Sequence, residues 1–123
     1  MPQMIEMDKN VTLRDQLQHD EVGPVILINT FTVDPEEADQ LLQAWAADAA
    51  YFKGQPGFIS TQLHRGIGGS SVFVNYAVWE SVAQFRAAFS KPKFYEHLKA
   101  YPPSAVGSPH LFQKVAVPGI CVA

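Results

Sequence analysis

Cysteine is almost absent, Cys121 being the only one in 123 residues. That excludes an intramolecular disulfide and any cysteine-based zinc site. Charge is scarce too: 17% of residues are charged, with 9 Lys+Arg against 12 Asp+Glu and a net charge of −3. No basic block occurs, and binding to nucleic acid or to an anionic membrane would need one. No apolar run reaches the ~18 residues of a transmembrane helix. Residues 1–20 are polar and carry acidic groups, unlike a secretory signal. The expectation is a cytoplasmic protein without a membrane or nucleic-acid partner. The histidines form no His-x-x-x-His pair, so no metal site is expected. Gly66-Ile67-Gly68-Gly69 is too short for a dinucleotide fingerprint, and no Gly-x-Ser-x-Gly elbow occurs.

Apolar residues, by contrast, make up 47% of the chain. The length fits one domain, and the low charge implies apolar surface that a partner covers. Residues 1–23 are expected to form an arm, with a short helix within 11–19, packed on the domain or on a second copy. Residues 24–118 form the domain and 119–123 an apolar tail. The β-branched run 25–33 predicts a first strand. Asp34-Pro35-Glu36-Glu37 starts a helix with Asp34 as N-cap, and Gly54 closes it. Residues 58–65 and 71–79 predict a hairpin across a Gly-rich loop. Ser81 and Gln84 have capping-box spacing before a second helix. A shorter helix is predicted over 93–101, a loop over 104–109 and a fourth strand over 111–117. The order β-α-β-β-α-(α)-β is a ferredoxin-like α+β fold with a four-stranded antiparallel sheet and helices on one face.

Alternation places Phe73, Asn75, Ala77 and Trp79 on one face of the third strand, and Val72, Val74, Tyr76 and Val78 on the other. Both sets are largely apolar and helices cover only one, so a homodimer packed sheet to sheet is expected. Asn29 shares a face with Leu27 and Phe31. His64 shares one with Phe58, Ser60 and Gln62. If these faces coincide, Asn29, His64, Asn75 and Trp79 line one cavity, an apolar pocket with a few polar groups suited to a small organic ligand. Each also has a plainer role, as core amide, packed indole or solvent-facing imidazole.

Val74-Asn75-Tyr76-Ala77-Val78-Trp79-Glu80-Ser81 followed by Phe85-Arg86, with Gln55-Pro56-Gly57-Phe58-Ile59-Ser60-Thr61 and His64 before it, resembles the antibiotic biosynthesis monooxygenase family, in particular its actinorhodin-type branch. The resemblance implies a dimeric α/β barrel. It also implies oxidation of a phenolic or hydroquinone aromatic to a quinone by O2 without flavin, haem or metal. Asn75, Trp79 and His64 match the family's catalytic positions. His64 is the expected base or proton relay, and Asn29, Phe31 and Phe73 are expected around the substrate. Phe85 stands where that branch has a tyrosine, and Tyr95 falls near its active-site arginine. A second, haem-degrading branch matches at Asn29 and Trp79. Its helix histidine would be His97, one residue from the aligned Leu98. Three readings stay open: a cofactor-independent oxygenase, a haem-degrading oxygenase, and a small-molecule-binding member without catalysis.

Overall fold

A computed structural model describes residues 2–21 and 23–123; positions 1 and 22, in the expected N-terminal arm, lie outside the described residues. The elements run β1 (Gln3–Met4), α1 (Leu13–Gln16), β2 (Val25–Thr32), α2 (Ala38–Lys53), β3 (Phe58–Arg65), β4 (Val72–Trp79), α3 (Val82–Phe89), α4 (Pro92–Leu98) and β5 (Val106–Phe112). The fold is ferredoxin-like, but the sheet is five-stranded and mixed, in the order β1-β5-β2-β4-β3. The expectation of four antiparallel strands is corrected by β1, which pairs parallel with β5. The sheet is open. Side chains of alternate strand positions pack against α2 and α3 in two apolar clusters, one around Trp79 and one around Phe31 and Tyr101. On the opposite face Val72 and Tyr76 are exposed.

The last strand lies earlier than its apolar content suggests. Residues 111–117 were the expected strand and 104–109 the expected loop, yet β5 pairs with β2 from Thr32↔Val106 to Ile26↔Phe112. Gly107 and Pro109 are strand residues for specific reasons. A Cβ at Gly107 would meet Met4 Sδ at 3.3 Å and Asn29 Oδ1 at 3.5 Å. Along the edge of β5 away from β2, the Ala105 and Gly107 carbonyls accept from the Gln3 and Ile5 N–H groups, both at 2.9 Å. Pro109 comes next on that edge by alternation, past the end of β1, where its missing N–H costs no ladder bond. The Leu111 N–H and C=O are both bonded by the Gln16 side-chain amide at 2.9 Å. The N-terminal arm therefore closes this edge with its backbone first and a glutamine second.

The helix starts partly match their signals. Ser81 caps α3, its Oγ accepting from the Gln84 N–H at 3.2 Å, while the Gln84 side chain returns to that hydroxyl. Asp34 makes no side-chain cap; Pro35–Glu37 form a 3₁₀ turn ahead of α2, and the Asp34 N–H donates to Ser104 Oγ at 3.0 Å. Gly54 caps the end of α2. Helix α4 ends at Leu98, and turn bonds carry the chain on to a buried Tyr101.

Candidate active site

The register of β2 against β4 decides the site. Asn29 and Asn75 are direct cross-strand partners, with Leu27↔Ala77 and Val25↔Trp79 following on the same side. Partners in an antiparallel pair stand ~4.5–5.5 Å apart and point to one face. That face is the helix-covered one. It floors a cavity of about 60 Å³, lined among others by Asn29, Phe31, Asn75, Trp79 and Phe85.

Each amide is held. Asn29 Oδ1 accepts from the Ser108 N–H at 2.9 Å. A backbone N–H only donates, so this bond orients the amide and leaves its NH2 as the free donor. Asn75 Oδ1 accepts from the Thr61 hydroxyl, which lines the same cavity. Trp79 closes one end, 1% exposed, with Phe52, Phe58 and Phe85 edge-on at centroid distances of 5.8, 5.5 and 5.5 Å.

His64 does not join them. A bulge between Phe58 and Ser60 leaves Ile59 unpaired, so Phe58 pairs with Trp79 but Ser60 pairs with Val78 and His64 with Val74. The alternation expected from the sequence inverts at this point, and His64 stands on the outer face with Val74. Its Nδ1 lies 3.3 Å from the Val74 carbonyl oxygen. Phe73 is on the inner face but outside the cavity lining, buried in the cluster with Phe31 and covered by the Arg65 guanidinium at 5.0 Å. Tyr95 is 49% exposed and does not line the cavity. His97 packs on Tyr51 at 5.6 Å between ring centroids, while its neighbour Leu98 lines the cavity. One helical step is a turn of ~100°, and it removes the histidine that a haem site would need. The residues present do not fit haem: no histidine lines the cavity among the described residues.

Two ionisable lining groups, Asp48 and Tyr101, escape the sequence reading. Asp48 is 8% exposed, and its Oδ2 accepts from the Tyr101 hydroxyl at 3.0 Å. Its Oδ1 is buried with no hydrogen-bond partner among the described residues. Burial pushes the carboxyl up to about 6, against a lowering by the Tyr101 hydrogen bond. Burial and the nearby Asp48 charge push the Tyr101 phenol upward, so it keeps its proton and donates. A signal existed: Asp48 sits on the buried stripe of α2 with Leu41 and Ala44, a carboxylate at a core position. Such a position is rare for aspartate unless the group is paired or used.

The shift has a consequence for stability. Asp48 binds its proton more tightly folded than unfolded, so folding stability falls as pH rises from about 4 to about 6 and the loss is complete above that. The cost is on the order of 2–3 kcal/mol. Asp48→Asn is therefore expected to raise the thermal midpoint at pH 8. The difference from wild type should close below pH 4, as melts across that range would measure.

Residues 24–100 match the family described as antibiotic biosynthesis monooxygenase, more than half of the chain. Deoxynogalonate monooxygenase of Streptomyces nogalater is 37% identical over 76 residues, 62% of this chain and 64% of that protein. Tetracenomycin-F1 monooxygenase of Streptomyces glaucescens is 37% identical over 75 residues, 58% of this chain and 63% of that protein. The chain thus spans a little under two thirds of the length of these curated relatives. The solved structure of SnoaB, a cofactor-independent oxygenase from Streptomyces nogalater, superposes with a TM-score of 0.68 at 31% identity, covering 80% of this chain and 99% of that one. The matched region contains both cavity asparagines, Trp79, the strands β2, β3 and β4 and the helices α2, α3 and α4, and the chain belongs to the antibiotic biosynthesis monooxygenase family.

Proposed function

We propose that the protein is a cofactor-independent monooxygenase that oxidises a small phenolic or hydroquinone-type aromatic to a quinone with O2. One observation carries this reading: two oriented amides stand side by side in an aromatic-walled cavity. Flat apolar walls suit an aromatic ring, and paired N–H donors suit an oxygen that gains negative charge. Loss of the phenolic proton gives a phenolate, whose ring carbon donates an electron pair to O2 and forms a C–O bond. Protonation gives a hydroperoxide. Loss of the ring C–H proton with cleavage of the O–O bond then yields the quinone carbonyl and one water. Asn75 and Asn29 donate to the substrate or peroxide oxygens, and the Trp79 indole N–H closes the set. The names of the Streptomyces relatives and the cofactor independence of SnoaB support the same class.

A cavity of about 60 Å³ is smaller than the ~150 Å³ that admits benzene. Substrate entry therefore needs the walls to part. The proposed unit is a homodimer, with a second copy on the apolar outer face that carries Val72 and Tyr76.

Metal-free protein is expected to take up oxygen with dithranol in an oxygen-electrode assay, producing one quinone per O2. Haemin should give neither a Soret shift nor bleaching. Tight dithranol binding without oxygen uptake would instead identify a binding module.

A further inference from the structure

The oxygenase reading needs a group to take the phenolic proton, and the residue expected to do so, His64, lies on the far side of the sheet. Resting on that reading, we propose that Asp48 is the catalytic base: its free Oδ1 accepts the substrate O–H proton, while the Tyr101 hydroxyl holds Oδ2.

The placement carries the proposal. Asp48 and Tyr101 are the ionisable side chains among those lining the cavity. Asp48 comes from the helical wall through α2, whereas Asn29 and Asn75 come from the sheet wall through β2 and β4. A ring between the walls would meet an acceptor on one side and donors on the other. Oδ2 is occupied, Oδ1 has no partner among the described residues, and the whole residue is more than nine-tenths buried. Carboxylates in such sites are ordinarily fully bonded, so an orphan oxygen in a cavity wall is a place for a ligand proton.

The transfer balances simply. The substrate O–H bond breaks, its electron pair stays on the phenolic oxygen, and a new O–H bond forms at Oδ1. The cavity holds one negative charge before and after; the charge moves from Asp48 to an oxygen beside the asparagine N–H groups. The same proton is then available to the peroxide, so the carboxylate is regenerated within one turnover. A buried carboxyl titrating near 6 is mostly ionised at neutral pH and suited to that exchange.

The titratable neighbours are few. Tyr101 touches Asp48 directly. Tyr51 lies on the same helix, where burial and the Asp48 charge raise its phenol, and the His97 ring of α4 packs at a tilt against Tyr51. Burial and the Tyr101 hydrogen bond account for the Asp48 shift, with no cation contributing. The rate should therefore have a single acid limb belonging to Asp48.

The test uses full-length wild type, Asp48→Asn and Tyr101→Phe with dithranol and O2 from pH 5 to 9. Wild-type kcat should fall below pH ~6, and Asp48→Asn should lose at least about 100-fold. Tyr101→Phe removes a hydrogen bond that lowers the Asp48 pKa, so its acid limb should move to higher pH, which a merely structural tyrosine would not do. Activity of Asp48→Asn within about threefold of wild type would overturn the proposal and leave the oxygenase reading standing. If wild type itself takes up no oxygen, the oxygenase reading fails and anaerobic binding decides the Asp48 contact. Wild type should then bind 1-naphthol at least about tenfold more tightly than 1-methoxynaphthalene at pH 8, a preference lost in Asp48→Asn. Equal preference in both proteins would overturn the proposal.

Discussion

Replacing Asn75 by alanine is expected to lower dithranol turnover by about 100- to 1,000-fold with little change in thermal midpoint. The size follows from what the amide does. A donor aimed at developing oxyanion charge, in a cavity walled by aromatic rings, acts where the dielectric is low and water does not compete. The fold has little to lose, because among the described residues the Asn75 side chain bonds only the Thr61 hydroxyl, and Thr61 is itself half-buried. Asn29→Ala should cost comparable activity but more stability, since it strips the Ser108 N–H of its acceptor. The double variant should fall well short of the product of the two losses if both amides serve one oxygen. Steady-state kinetics with a thermal melt for each variant would measure this, and unchanged kcat in both single variants would remove the proposed site.

Trp79→Ala is expected to destabilise the protein by about 3–5 kcal/mol, the largest single loss foreseen for any side chain here. The indole is 1% exposed, with three rings edge-on around it, and it belongs to the cluster that joins β2 and β4 to α3. Its removal leaves a cavity that large rings cannot collapse to fill. Trp79→Phe separates packing from chemistry: it retains most of the aromatic volume and deletes the N–H. That variant should keep most of the stability and still lose turnover. Urea unfolding with oxygen-uptake rates would show whether the two losses part in this way.

The sheet face that builds the site was legible because β4 is uninterrupted. Alternation from Phe73 to Trp79 needs no partner information, and it holds residue for residue in the fold. The pairing of Asn29 with Asn75 was not legible, since register is a property of two strands and a one-residue slip would have turned one amide away. His64 was misplaced by a bulge, which leaves no mark in composition. The last strand was misplaced because Gly107 and Pro109 read as loop residues when their neighbours are unknown; beside Met4 and past the end of β1 they suit a strand. Asp48 was hidden for the opposite reason. The apolar positions define the stripe of its helix, and a single carboxylate at helical spacing among them draws attention only once the neighbouring elements are seen to bury it.

Ile59 has a wider meaning for comparing relatives. Before it, even-numbered positions of β3 face the helices; after it, odd-numbered positions do. The strand therefore carries two reading frames, and the histidine belongs to the second. A relative of the same length that pairs this residue regularly, without the bulge, would keep the same letters in the same order yet turn its histidine toward the cavity and its threonine away. Matching residue types along β3 is thus insufficient to transfer a role across the family: whether the strand bulges between the Pro-Gly turn and the histidine decides which side of the sheet that histidine faces.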